Sequence, residues 1–131
     1  DLAFTDASFD AVVAVQNGIS AFHVELPVLL SQVVRVTKPG GCALLSTYSE
    51  RFWDDRLAWF RRQAEAGLIG RIDEARSTDG TIVCHDGFVA STVGQCAVRA
   101  GLAMAHLEER VDLDIVEVDA SSLFYVLTRT R

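Results

Sequence analysis

The feature that most limits the fold is the run Phe9-Asp10-Ala11-Val12-Val13-Ala14-Val15, in which six of seven residues are apolar and no alternation appears. A strand with one face in water alternates polar and apolar residues. A continuous β-branched run predicts a strand buried on both faces, as in a parallel sheet covered by helices. The turn-like Thr5-Asp6-Ala7-Ser8 leads into it, and Gln16-Asn17-Gly18 ends it with residues that tolerate positive φ. Leu26, Leu29, Leu30, Val33 and Val34 then recur on one face of a helix, with Pro27 acceptable in its first turn. Lys38-Pro39-Gly40-Gly41 is read as the stop of that helix, and Cys42-Ala43-Leu44-Leu45-Ser46-Thr47 as a second buried strand. Strand, helix and strand in this order make a right-handed βαβ unit, so the class is α/β.

Thr47-Tyr48-Ser49-Glu50 has the S/T-x-x-E form of a capping box and opens a second helix with the stripe Trp53, Leu57, Phe60, Ala64, Leu68. From Arg71 to Thr92 the texture turns β-like, and Asp86-Gly87 between Thr81–Cys84 and Phe88–Ala90 signals a hairpin. We read residues 71–92 as an inserted hairpin, a candidate lid. Thr92-Val93-Gly94-Gln95 is a second capping box, before a short helix expected to end at Gly101. Leu113–Val118 and Leu123–Leu127, joined by the turn Asp119-Ala120-Ser121, must pair antiparallel.

The 131 residues, half of them hydrophobic, form one domain over 1–131 with a real core. A net charge of −6 excludes general binding to a phosphate backbone, so nucleic acid is not an expected partner. Six of the twelve basic residues fall between Arg51 and Arg76, but interleaved carboxylates make that stretch a solvated face. No apolar run reaches the roughly 20 residues of a membrane helix. The start carries no signal-peptide pattern and no initiator Met, so a fragment or processed form is expected. Cys42, Cys84 and Cys96, without C-x-x-C spacing, argue against a disulfide framework and against a metal site. A reduced, cytoplasmic protein is the expectation.

Two stretches carry a family resemblance. Residues 1–13, Asp1-Leu2-Ala3-Phe4-Thr5-Asp6-Ala7-Ser8-Phe9-Asp10-Ala11-Val12-Val13, resemble the "D-L-P-F-x-D-x-S-F-D-x-V" pattern of class I S-adenosylmethionine-dependent methyltransferases. Arg35-Val36-Thr37-Lys38-Pro39-Gly40-Gly41 resembles their "R-V-L-K-P-G-G". The resemblance implies a partial Rossmann-like methyltransferase sheet, with counterparts of strands 4-5-7-6, the last antiparallel, flanking helices and the hairpin insertion. The family's glycine-rich cofactor loop and the acidic residue after its second strand have no counterpart here: no G-x-G-x-x-G occurs, and Gly40-Gly41 precede a strand. The chain alone is therefore expected to bind cofactor poorly, and either to be a piece of a longer enzyme or to self-associate along the exposed edge of its first strand.

The resemblance further implies S-adenosyl-L-methionine as cofactor and a small-molecule methyl acceptor. It places Val15, Gln16 and Asn17 at the cofactor, with Asn17 also facing the acceptor, and Phe4 and Asp6 near the adenine; Asp1 is read as a turn residue. Tyr48, after the second strand, is a candidate for the acceptor pocket, its alternative being packing on the second helix. Trp59 falls off the helical stripe and is the better candidate for a pocket or interface aromatic than Trp53 or Phe60. His23 matches a family position loosely. Cys84-His85-Asp86 is not read as a nucleophile, base and acid, because neighbours in a hairpin point apart. No catalytic residue is assigned, since methyl transfer needs alignment more than covalent help. The rival readings are a non-catalytic half-domain for dimerisation or regulation and, with less support, a fragment of a nicotinamide-dependent dehydrogenase.

Overall fold

The computed structural model describes residues 2–131, and Asp1 lies outside them. The chain runs β1 (Phe9–Ala14), a 3-10 turn (Gly18–Ser20), α1 (Leu26–Val36), β2 (Thr37–Tyr48), a second 3-10 turn (Glu50–Phe52), α2 (Trp53–Glu65), β3 (Thr81–Val83), β4 (Val89–Ser91), α3 (Gln95–Met104), β5 (Val111–Val118) and β6 (Ser122–Arg129). Four strands form one sheet in the order β1-β2-β6-β5, and β3 and β4 pair separately. β1 and β2 are parallel, whereas β6 is antiparallel to both its neighbours. This is the expected 4-5-7-6 order with a reversed last strand. The three-residue β5–β6 turn holds Asp119 and Ala120 at φ 50° and 51°, and the Ser121 N–H donates to the Val118 carbonyl to close it. No helix among the described residues is long and apolar enough to cross a membrane.

Helices α1 and α3 cover one face of the sheet. Leu30, Val33 and Val34 from α1 and Val98 and Leu102 from α3 share a core with Ala43, Leu45, Leu123, Tyr125 and Leu127. Gly101 does not end α3, which continues to Met104. A Cβ there would stand 3.0 Å from Leu30 Cδ1 and 3.1 Å from Leu26 Cγ, so the glycine serves the close approach of the two helices. A second, smaller core forms between α2 and the hairpin, from Phe60, Ile72, Ile82, Cys84 and Ala90.

Four local expectations are corrected. β1 is not buried on both faces: Val12 and Ala14 pack on the core, while Val13 is 59% exposed. Lys38-Pro39-Gly40-Gly41 is not a helix stop followed by a new strand; α1 ends at Val36 and β2 already starts at Thr37. Phe9 pairs with Thr37 and Ala11 with Cys42, so extra residues bulge out of β2 at this point. A Cβ on Gly41 would lie 2.6 Å from the Asp10 carbonyl oxygen, which is why β1 can pass there only over glycine. Neither capping box forms as read. Ser49, not Thr47, caps the turn before α2 by accepting from the Arg51 N–H, and α3 begins at Gly94 with no side-chain cap.

Candidate functional site

Ala14 pairs with Leu45, so the parallel strands β1 and β2 deliver their following residues to one edge of the sheet. In open α/β sheets that carboxyl edge is where ligands bind. Gln16 and Asn17 leave β1 at φ 57° and 58°. Asparagine adopts left-handed backbone readily, whereas at Gln16 it costs about 1 kcal/mol or more. The Asn17 N–H donates to Ser46 Oγ at 2.8 Å, which fixes the residue against the end of β2. Its side-chain Oδ1 is buried and has no hydrogen-bond partner among the described residues. A buried, unpaired acceptor costs about 1–3 kcal/mol. A left-handed turn and an unpaired acceptor therefore coincide at Asn17, and any N–H or O–H donor can satisfy that acceptor.

Hydroxyl groups behind Asn17 hold the edge together. Thr47 Oγ1 meets Ser20 Oγ at 2.8 Å and accepts from the Val93 N–H at 2.9 Å. The Tyr125 hydroxyl donates to the Val93 carbonyl. Burial, with smaller contributions from Glu50 and Cys96, pushes the Tyr125 phenol up to about 12. The loop after β1, the end of β2 and the start of α3 are thus one hydrogen-bonded block.

Beyond that block, Ser49 and Glu50 border two cavities. One, of about 470 Å³, is walled by Trp53, Asp79, Gly80 and Thr92. The other, of about 390 Å³, is walled by Arg51, Gln95, Cys96 and Glu117. Ser49 Oγ donates to Glu117 at 2.5 Å, and Arg51 pairs with the same carboxylate at 3.3 Å, which ties the ends of β2 and β5. Next to the first cavity, Arg56 is 1% exposed. Its guanidinium donates to the carbonyls of Gly80 and Ala90 and to Thr92 Oγ1, and it lies 3.9 Å from the centre of the Tyr48 ring. Burial lowers the Arg56 pKa to about 10.

The structure brings Val15, Gln16, Asn17 and Tyr48 to this edge. Val15 and Gln16 are exposed, and Tyr48 is half-buried with Arg56 over its ring, the helix-packing alternative of the sequence reading. Phe4 and Asp6 are not part of the edge. Arg35, in the last turn of α1, donates to the carbonyls of Leu2 and Phe4 and pairs with Asp6 at 2.8 Å, and Phe4 packs edge-on against Phe9 at 4.9 Å. Both therefore belong to the amino-terminal end of β1, opposite Asn17. Trp59 is 56% exposed and lines neither of the two cavities. His23 lies in the exposed loop before α1 with φ 52°.

Cys84-His85-Asp86 forms no reactive set. The Asp86 carboxylate accepts from the Gly70 and Phe88 N–H groups, His85 is exposed, and burial pushes the Cys84 thiol up. Two important residues escaped the sequence reading. Ser46 is 0% exposed and looks like one more small residue of a buried strand. Arg56 had a usable signal, because it follows Trp53 by three and precedes Phe60 by four and so stands on the apolar stripe of α2.

Residues 1–45 match a family model described as a methyltransferase domain. A search of curated protein sequences gave no match. Among solved structures, a SAM-dependent methyltransferase from Methanosarcina mazei superimposes with a TM-score of 0.61 at 17% identity, covering 99% of this chain and 63% of that one. A protein from Pyrococcus horikoshii OT3 gives a TM-score of 0.62 at 21% identity, covering 99% and 58%. The 1,6-didemethyltoxoflavin-N1-methyltransferase of Burkholderia thailandensis, solved with 1,6-didemethyltoxoflavin and S-adenosylhomocysteine, gives 0.56 at 12% identity, covering 99% and 48%. The chain thus has a methyltransferase fold and spans less than two thirds of the length of each of these proteins. Both motifs that carried the class I resemblance fall within the matched residues 1–45.

Proposed function

We propose that this chain is the acceptor-side part of an S-adenosylmethionine-dependent methyltransferase whose complete form methylates a small molecule. The observation that carries the reading is Asn17: a left-handed residue at the carboxyl edge of a parallel strand pair, with a buried oxygen that has no partner among the described residues. That oxygen fits an N–H of the cofactor's amine or of the acceptor. S-Adenosylmethionine supplies a methyl group already activated on a sulfonium, so the protein's share is alignment and the exclusion of water. Val15 and Gln16 flank Asn17 on the cofactor side, and Tyr48 stands on the acceptor side. Phe4 and Asp6, at the opposite end of β1, drop out of the proposed cofactor contacts. The net charge of −6 supports a small-molecule acceptor over nucleic acid, and three cysteines without paired spacing support a cytoplasmic enzyme.

The residues described fit only part of the cofactor, because the chain has no glycine-rich turn for its methionine end. In this reading further chain completes the site across the free edge of β1, where Val13 and Val15 are 59% and 41% exposed. S-Adenosylhomocysteine titrated calorimetrically into the complete protein is expected to bind, and Asn17→Ala to weaken it at least about tenfold by removing one buried hydrogen bond. Unchanged binding and turnover in Asn17→Ala would remove the residue from the site. The open β1 edge also favours the rival reading, a non-catalytic half-domain that docks through it. Sedimentation of the 131-residue chain addresses that reading directly, since a stable monomer contradicts a docking role for the edge.

A further inference from the structure

Arg56 is the most deeply buried charge described in the molecule, and the methyl-transfer reading does not use it. Among the described residues it has no carboxylate partner, whereas Arg35, Lys38, Arg51 and Arg61, all more exposed, each pair with one. The guanidinium instead sits among three aromatic rings, 3.9 Å from Tyr48, 5.7 Å from Phe60 and 5.9 Å from Trp53. Its three hydrogen bonds all cross to the inserted hairpin: to Gly80 O at 2.8 Å just before β3, to Ala90 O at 2.6 Å within β4, and to Thr92 Oγ1 at 2.9 Å just after it. Nε is left without a partner. A buried arginine without a counter-ion is costly, and its retention calls for geometry that a neutral side chain cannot reproduce. The planar fork reaches both strands of the hairpin at once, while its face rests on the residue that ends β2.

We propose that Arg56 is a positioning residue for the acceptor side of the site, locking the β3–β4 hairpin and the Tyr48 ring into one arrangement. The acceptor role of that wall rests on the methyltransferase reading; the locking does not. Gly80 and Thr92, both held by Arg56, wall the 470 Å³ cavity beside Ser49 and Glu50. The hairpin shares its own small core with α2, and this fork, the Thr47–Val93 bond and the packing of Tyr48 on Phe60 join that core to the sheet.

The test is amide hydrogen exchange on the complete protein, comparing the wild type with Arg56→Met, which keeps volume, and Arg56→Lys, which keeps charge. Arg56→Met is expected to speed exchange at the hairpin amides of Ile82, Cys84 and Thr92 at least about tenfold, by loss of hydrogen bonds to charge. Leu45 and Tyr125 in the main sheet should stay within about threefold. Arg56→Lys should fall between the two, because an ammonium can reach the carbonyls but cannot span and stack as the fork does. Adding methylguanidinium to Arg56→Ala should restore hairpin protection, a rescue that general loosening of the fold would not show. Hairpin exchange within threefold of wild type in Arg56→Met overturns the proposal, as does equal acceleration of hairpin and sheet. If Arg56→Met fails to fold, the same two outcomes in Arg56→Lys decide it. S-Adenosylhomocysteine binding by the unaltered protein tests the cofactor reading separately, and its failure leaves the exchange result standing.

Discussion

Leu44 and Leu45 are chemically identical neighbours in β2 that face opposite sides of one sheet. The row Ala14, Leu45, Tyr125, Ile115 runs across four strands beneath α1 and α3, and Leu45 is 1% exposed. The row Val13, Leu44, Val126, Asp114 runs across the same strands on the other face, where Val13 is 59% exposed. The two faces have similar aliphatic composition near β1 and β2, yet only one is sealed. The strands are written for burial on both sides, and the described chain provides cover for one. The open face also ends at the strand whose far edge is unpaired, so exposed apolar surface and exposed backbone meet at β1.

The largest effect that tests this contrast is Leu45→Ala, expected to cost about 3 kcal/mol because the sealed site leaves a cavity. Leu44→Ala should cost less than about 1 kcal/mol, since water already reaches that face. Urea unfolding of the two variants measures the difference directly. Equal losses would mean that the second face is covered in solution, by self-association or by further chain, and repeating the pair over a concentration series identifies the first.

A smaller effect concerns the sealed face alone. At neutral pH, Tyr125→Phe should cost about 1 kcal/mol through the lost bond to the Val93 carbonyl. The folded phenol is pushed up to about 12 from a value near 10, so the fold favours the neutral form. That stabilisation is fully present below about pH 10 and is lost as pH rises through about 12. Wild type should therefore lose stability faster than Tyr125→Phe between these values. Arg56, lowered to about 10, titrates in both proteins and cancels from the comparison. A constant difference between the two proteins across this range would show that Tyr125 is not held neutral by the fold.

The smallest effect lies at the amino-terminal end of β1. Lys38 lowers the Asp10 pKa through a hydrogen bond and its charge, but the Asp10 side chain is 86% exposed. Asp10→Asn should leave the unfolding midpoint unchanged at physiological salt, because water and ions screen such a pair. A clear loss would mean that this end of β1 is less open than its exposure indicates.

Much of the fold was legible because it depends on short-range pattern. The unbroken run at Phe9–Val15, the 3.6-residue period of Leu26–Val34 and the Asp86-Gly87 turn each act within a few residues, and each appears where expected. The misreadings arose where a distant residue decides. Gly101 reads as a helix stop until Leu26 and Leu30 are known to press against it, and Thr47 reads as a cap until Ser20 and Val93 are found to occupy its hydroxyl. At the candidate site, residues 15–17 came from the family resemblance, and the structure puts them just after β1 at the carboxyl edge of the parallel pair. Phe4 and Asp6 lie away from this edge because the Arg35 fork gathers them at the other end of β1, a contact across some thirty positions that no local pattern shows.

By itself, then, the amino-acid sequence determined the element types and the α/β order, because hydrophobic period and turn chemistry are local. Only the tertiary structure decided which face of the sheet is covered, that Asn17 keeps an unpaired oxygen, and that one buried arginine joins α2, the hairpin and Tyr48. Those features depend on groups that lie 24 to 36 positions apart in the case of Arg56 and 29 in the case of Asn17 and Ser46. Packing and hydrogen-bond geometry place such groups, and no local pattern in the chain encodes them.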